Sequence, residues 1–152
     1  MYFSKIINYY LFFCFFLFMD VFSSLRLDYL LHTPLTKEEI FSSNNIKLFF
    51  NAKKNQHVLI DCDDLYQVQY PSILMGYNYT TLFTIAKEQE KVEILYKNNY
   101  IQNKITFLPF ENSKGMHIKV ESNSPLGIPR FLHKKIINDR MKEMLEKISK
   151  LT

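Results

Sequence analysis

The chain has 152 residues, of which 47% are hydrophobic and 16% aromatic, enough for one domain with a full core and too few for two. Its formal charge is +4, but Lys and Arg are interleaved with Asp and Glu from Lys37 to Lys150. There is no basic stripe with stacking aromatics of the kind nucleic-acid binding requires, and the abundant lysines match the coding bias of an AT-rich genome.

Lys5 precedes an unbroken apolar run from Tyr9 to Met19, which Asp20 ends. A helix of that length spans about 16 Å, roughly half of a bilayer's hydrocarbon thickness. The run therefore fits the core of a signal peptide better than a spanning helix. Val21 and Ser23 provide modest −3 and −1 positions, so cleavage is expected after Ser23, with an uncleaved membrane anchor as the alternative. Residues 1–23 are read as signal peptide or anchor and residues 24–152 as one α+β domain. The segment from Ser24 to Thr36 carries Arg26 and His32 but meets Asp28 early. It leaves a second address, to a secondary plastid through a bipartite leader, as an alternative to the secretory pathway. Asn78-Tyr79-Thr80 is a glycosylation sequon of a type that recurs by chance in an Asn-rich chain. Cys14 lies in the leader, which leaves Cys62 alone in the domain without an intramolecular disulfide partner.

After Pro34, Thr36-Lys37-Glu38-Glu39 forms a capping box and predicts a short helix from Lys37 to about Ser43. Ile46 to Phe50 is ambiguous between helix and strand. From residue 57 the pattern is β. Val58–Cys62 and Leu65–Tyr70 flank an Asp63-Asp64 turn, and Pro71 interrupts the second run. Tyr79–Ile85 and Val92–Tyr96 are separated by a turn at residues 87–90. Asn98-Asn99 mark another turn. Ile105–Phe110 leads into Met116–Glu121, where Met116, Ile118 and Val120 alternate inward against His117, Lys119 and Glu121. His117 is thus read as an exposed polar residue. Beyond Pro125 and Pro129 one amphipathic helix runs to about Lys150, with Ile137, Met141, Met144, Leu145 and Ile148 on one stripe. Glu143 and Lys147 make an i,i+4 pair.

The order short helix, antiparallel strands, long C-terminal helix is similar to the helix-grip fold of the START-like (polyketide cyclase/Bet v 1-like) superfamily. The closest local match is Ser124-Pro125-Leu126-Gly127-Ile128-Pro129-Arg130-Phe131-Leu132 leading into Ile136–Ile148. It resembles the strand, turn and final helix of a START-like group of unknown function (DUF1997) known from plants and cyanobacteria. The resemblance implies a curved antiparallel sheet wrapped around the final helix, enclosing an apolar cavity. Its members include lipid carriers and some enzymes, so the fold does not choose between them.

No catalytic motif is present: no G-x-S-x-G, H-E-x-x-H, C-x-x-C or glycine-rich phosphate loop. His32, His57, His117 and His133 are not spaced with acids or cysteines as metal ligands, and no cofactor is expected. Cys62 is read as a small buried thiol rather than as a nucleophile served by His57. The apolar candidates for lining a ligand cavity are Tyr66, Val68, Tyr70, Met75, Tyr77, Phe83, Tyr96, Phe107, Met116, Ile118, Met141 and Met144. Three readings follow. The first is non-catalytic binding or transfer of a lipid or other hydrophobic small molecule. The second is an interaction or scaffold subunit with a solid core, tethered by its leader. The third is a cyclase-type enzyme. The leader reading predicts a mature N-terminus near Ser24, and N-terminal sequencing that finds Met1 intact overturns cleavage.

Overall fold

The computed structural model describes residues 8–11, 24–49, 56–74, 76–99, 101–111, 114–124 and 129–151. The expected cleavage position and most of the expected signal peptide or anchor lie outside these residues. Residues 8–11 are helical with Tyr9, Tyr10 and Leu11 exposed. Among the described residues no helix is long and apolar enough to cross a membrane.

Seven strands among the described residues make one antiparallel sheet: β1 Ser24–Leu31, β2 His57–Asp61, β3 Leu65–Leu74, β4 Tyr77–Lys87, β5 Val92–Lys97, β6 Gln102–Pro109 and β7 Met116–Asn123. Their order is β1-β7-β6-β5-β4-β3-β2. Strands β2 to β7 form a meander of neighbours, and β1 closes onto β7 from the far end of the sequence. Two short helices, α1 Lys37–Ile40 and α2 Ser43–Phe49, link β1 to β2, and α3 Arg130–Ser149 follows β7. This is the helix-grip architecture: a curved antiparallel sheet held against one long C-terminal helix.

Directly opposed residues share a face of an antiparallel sheet, so the register defines rows across it. One row runs Leu27, Val120, Ile105, Ile94, Ile85, Tyr66. The row beside it runs Tyr29, Ile118, Phe107, Val92. Apart from the partly buried Leu27 and Tyr29, these side chains are all buried. They form the apolar concave face. The opposite face carries Glu93 between Lys91 and Lys104, at 2.9 and 3.2 Å, and the Gln67–Thr84 side-chain bond. That polar face meets water, as the alternation within each strand requires.

Helix α3 covers the concave face. His133, Ile137, Met141, Met144 and Ile148 are its buried residues, at steps of four, four, three and four. At one end of the seam Phe41 packs edge-on against Phe107, with centroids 4.9 Å apart. The capping box of α1 forms in full: the Glu39 N–H donates to Thr36 Oγ1 at 3.2 Å, and the Thr36 N–H donates to Glu39 Oε2 at 2.7 Å. Lys37 Nζ then bonds the carbonyls of Glu88 and Gln89, which fastens α1 to the β4–β5 turn.

Four details differ from the sequence reading. The segment at Ser24–Leu31 is a strand of the domain. The expected single helix ends at Ile40, and the ambiguous stretch after it is helical as far as Phe49, Phe50 lying outside the described residues. The strand does not stop at Pro71 but continues to Leu74, because β2 pairs only as far as Gln69 and Pro71 has a strand neighbour on one side alone. Cys62 is exposed rather than buried, since β2 ends at Asp61 and Cys62 opens the turn, where its thiol donates to the Leu65 carbonyl at 3.4 Å.

Gly115 ends the β6–β7 turn at φ 131°, and a Cβ there would stand 2.4 Å from the Leu31 carbonyl. Gly76, at φ 82°, has open space around it. Gly115→Ala is therefore expected to destabilise the fold by several kcal/mol, and Gly76→Ala by about 1 kcal/mol from its positive φ alone. Urea unfolding midpoints of the two variants test this ordering.

Candidate functional site

The seam between the concave face and α3 gathers most of the expected ligand-lining residues. Val68, Phe83, Phe107 and Ile118 are fully buried, and Tyr66, Met116, Met141 and Met144 nearly so. Tyr70 and Tyr96 pack partly buried against the same cluster. Phe83 stands at its centre, edge-on to Tyr96 at 4.8 Å and to Tyr66 at 6.5 Å. Such pairs add about 0.5–1.5 kcal/mol each beyond area burial. Met75 lies outside the described residues. Tyr77 does not join the group: it is exposed, because β4 pairs with β5 only from Leu82 onward and its first residues run past that edge.

The tyrosine end of the seam is polar-edged. Burial pushes the Tyr96 hydroxyl well above the ordinary tyrosine range, and Arg140 only partly opposes this. Tyr70 is raised for the same reason, again against Arg140. Both phenols are neutral hydrogen-bonding groups at physiological pH. On the opposite side of α3 the Tyr29 hydroxyl donates to Asn138 Oδ1.

The sequence reading missed a buried polar cluster. The third row across the sheet runs Leu25, Ser122, Asn103, Tyr96, Phe83, Val68, so two polar side chains interrupt an otherwise apolar wall. Ser122 and Asn103 are buried, and the Ser122 hydroxyl donates to Asn103 Oδ1. His133, only 2% exposed, reaches down from the first turn of α3 and places Nε2 2.6 Å from Ser122 Oγ. With the Ser122 hydroxyl donating to Asn103 Oδ1, the hydrogen-bond pattern is met by the Nε2–H tautomer of His133, an assignment that follows from the orientation of the Asn103 amide. Nδ1 is then an acceptor, and it is buried without a hydrogen-bond partner among the described residues. The signals were present. Ser122 continues the inward series Met116, Ile118, Val120, Asn103 sits two residues before Ile105, and His133 lies one turn before Ile137 on the apolar stripe.

His117 pairs with Asp28 on the outer face, at 2.9 Å, and takes no part in this cluster. Among the described residues no group of three or more His, Cys, Asp or Glu side chains could hold a metal ion.

No family profile matches the chain, and no curated protein matches it in sequence. Solved structures align with it at low identity. The protein TTHA0849 from Thermus thermophilus aligns with 14% identity and a TM-score of 0.47, over 85% of this chain and 93% of that one. Ara h 8.0201 aligns with 10% identity and a TM-score of 0.49, over 83% and 95%. The protein CV1439 from Chromobacterium violaceum aligns with 14% identity and a TM-score of 0.46, over 82% and 94%.

Burial lowers the pKa of His133 from its ordinary value of about 6.5. The unfolded chain therefore takes up this proton first as pH falls. The contribution of this group to stability is full above about pH 6.5 and declines as pH drops from there toward the folded-state pKa. The urea midpoint of the wild-type chain is expected to fall more between pH 7.5 and pH 5 than that of His133→Leu; equal falls would assign the effect to other groups.

Proposed function

We propose that the domain binds a hydrophobic small molecule or lipid between its concave face and α3, without catalysing a reaction. On this reading the chain groups with the START-like proteins, nearest the DUF1997 group, and reaches its site of action through a secretory leader. A secondary plastid or a retained membrane anchor is the alternative destination.

The observation that carries the reading is the unpartnered Nδ1 of His133. An interior that only needed filling would be more stable with an apolar residue there, because an unmet buried polar atom costs about 1–3 kcal/mol. A ligand that donates a hydrogen bond removes that cost. The bare lone pair selects an apolar molecule bearing one hydroxyl or amide donor, such as a sterol, a prenol or a long-chain alcohol. Met116, Met141 and Met144 supply side chains that repack around a guest. The phenols of Tyr70 and Tyr96 supply further polar contacts at the wider end. Ser122 and His133 have the atoms of a nucleophile–base pair, but the hydroxyl proton goes to Asn103 and the imidazole presents N–H to the oxygen. That polarity supports binding over acyl transfer.

The close burial of Val68, Phe83, Phe107 and Ile118 favours the second reading, a scaffold subunit with a solid core. Native mass spectrometry of the chain purified from a eukaryotic host, followed by lipid extraction, separates the two. A stoichiometric co-purified apolar alcohol is expected, with affinity lowered roughly tenfold in His133→Leu. A clean apo mass that persists after incubation with mixed sterols, prenols and phospholipids sinks the binding reading in favour of the scaffold one.

A further inference from the structure

The meander sorts the connections of the sheet to two ends. The β2–β3, β4–β5 and β6–β7 turns and the exit of β1 lie at one end. The β3–β4 tip, the β5–β6 turn and the exit of β7 into α3 lie at the other. His133 confirms the second placement, because its bond to Ser122 holds the first turn of α3 near the end of β7.

The two ends differ in charge. The first carries Asp61, Asp63, Asp64, Glu88, Glu90 and Glu111 in or beside its turns, against Lys87, Lys91 and Lys114. At the second, residues 71–80, 97–102 and 123–135 contain no Asp or Glu, while Lys97, Arg130, Lys134 and Lys135 are all present and exposed.

This basic end also exposes apolar side chains. Beyond Leu82 the β3–β4 hairpin has no β5 partner and projects from the sheet as a two-stranded ribbon. From Leu82 to Tyr77 the ribbon extends roughly 16 Å. Near its tip Ile73 is 71% and Tyr77 72% exposed, and residues 71–80 carry no charge of either sign. At the start of α3, Phe131 is 77% exposed beside the half-exposed Leu132. Uncharged apolar projections at the same end of the sheet as these cations, on a molecule whose opposite end is acidic, match one kind of partner. Such a surface lays its apolar groups into a bilayer interface and its cations against anionic headgroups, while the acidic end orients away.

We propose that this end of the molecule docks on anionic phospholipid membranes, with the β3–β4 tip inserted and Arg130, Lys134 and Lys135 on the headgroups. The surface is distinct from the interior site and stands or falls separately from it. The tip and the start of α3 enter the interface together, and the long axis of the ribbon stands steeply to the membrane.

The test uses the full chain with Cys14→Ser and Cys62→Ser, carrying an environment-sensitive fluorophore on Ile73→Cys or, at the acidic end, on Glu90→Cys. Vesicles are either pure phosphatidylcholine or phosphatidylcholine with phosphatidylserine. The N-terminal segment enters at this same end, since Ser24 pairs with Asn123, so the neutral vesicles and the charge-reversed variant are the controls for attachment through it. The expected result is a blue shift at position 73 on anionic vesicles only, with position 90 unchanged. Combined Arg130→Glu, Lys134→Glu and Lys135→Glu should weaken the response at position 73 by more than about tenfold. Emission at position 73 that stays as in buffer while the chain is vesicle-bound overturns the proposal. So does an equal shift on neutral vesicles, an equal shift at position 90, or a response that survives the triple charge reversal.

Discussion

An antiparallel sheet with one apolar face has to cover that face, and in this chain the cover is α3. The inward rows of β1 and β3–β7 end on one stripe of that helix, from His133 to Ile148. Other parts of the fold are arranged around that seam. The helices α1 and α2 close it where Phe41 meets Phe107, and Lys37 ties this closure to the β4–β5 turn. The curvature that brings β1 and β3 to opposite flanks of the helix lets Tyr29 reach Asn138 on one side while Tyr70 and Tyr96 feel Arg140 on the other.

The polar cluster of Asn103, Ser122 and His133 lies inside that seam, toward the end from which the hairpin projects. Its cost is borne in the part of the interior where three rows give way to a two-stranded ribbon. A guest lying along the tyrosines would have its polar group near the first turn of α3 and its apolar body against Phe83 and the methionines. The interior site and the membrane-facing end proposed for the same molecule thus share one helix terminus, with His133 pointing inward and Phe131 outward.

Period-two alternation made β2, β4, β5 and β7 legible within two residues at each end, while β3 runs four residues beyond its expected end and β6 starts three residues before its expected start; the Thr36–Glu39 box and the α3 stripe were legible as well. What escaped did so for physical reasons. Leu25, Leu27 and Leu31 alternate like a strand, but they follow the apolar run Tyr9–Met19, and their pairing partner β7 is far away in sequence. Pro71 normally stops a strand, and tolerates this one because β2 is short. Cys62 was read as buried from its residue type, whereas the length of β2 decided its exposure. Eight of the twelve expected lining residues are buried in the seam, two are partly buried there, Met75 lies outside the described residues, and Tyr77 is in solvent. The Asn103–Ser122–His133 cluster escaped because polar residues were taken to mark the ends of inward series that in fact continue through them.

The pairing of Ser24 with Asn123 also fixes an order of events during synthesis. The hairpins from β2 to β7 join neighbours in sequence and can form as each emerges, with low loop-closure entropy. Strand β1 has no partner until β7 has been made, and α3 follows β7. Until then Leu25, Leu27 and Leu31 are an uncovered apolar strip directly behind the apolar run Tyr9–Met19. The capture of β1 by β7 and α3 is therefore a late step in the folding of the described residues.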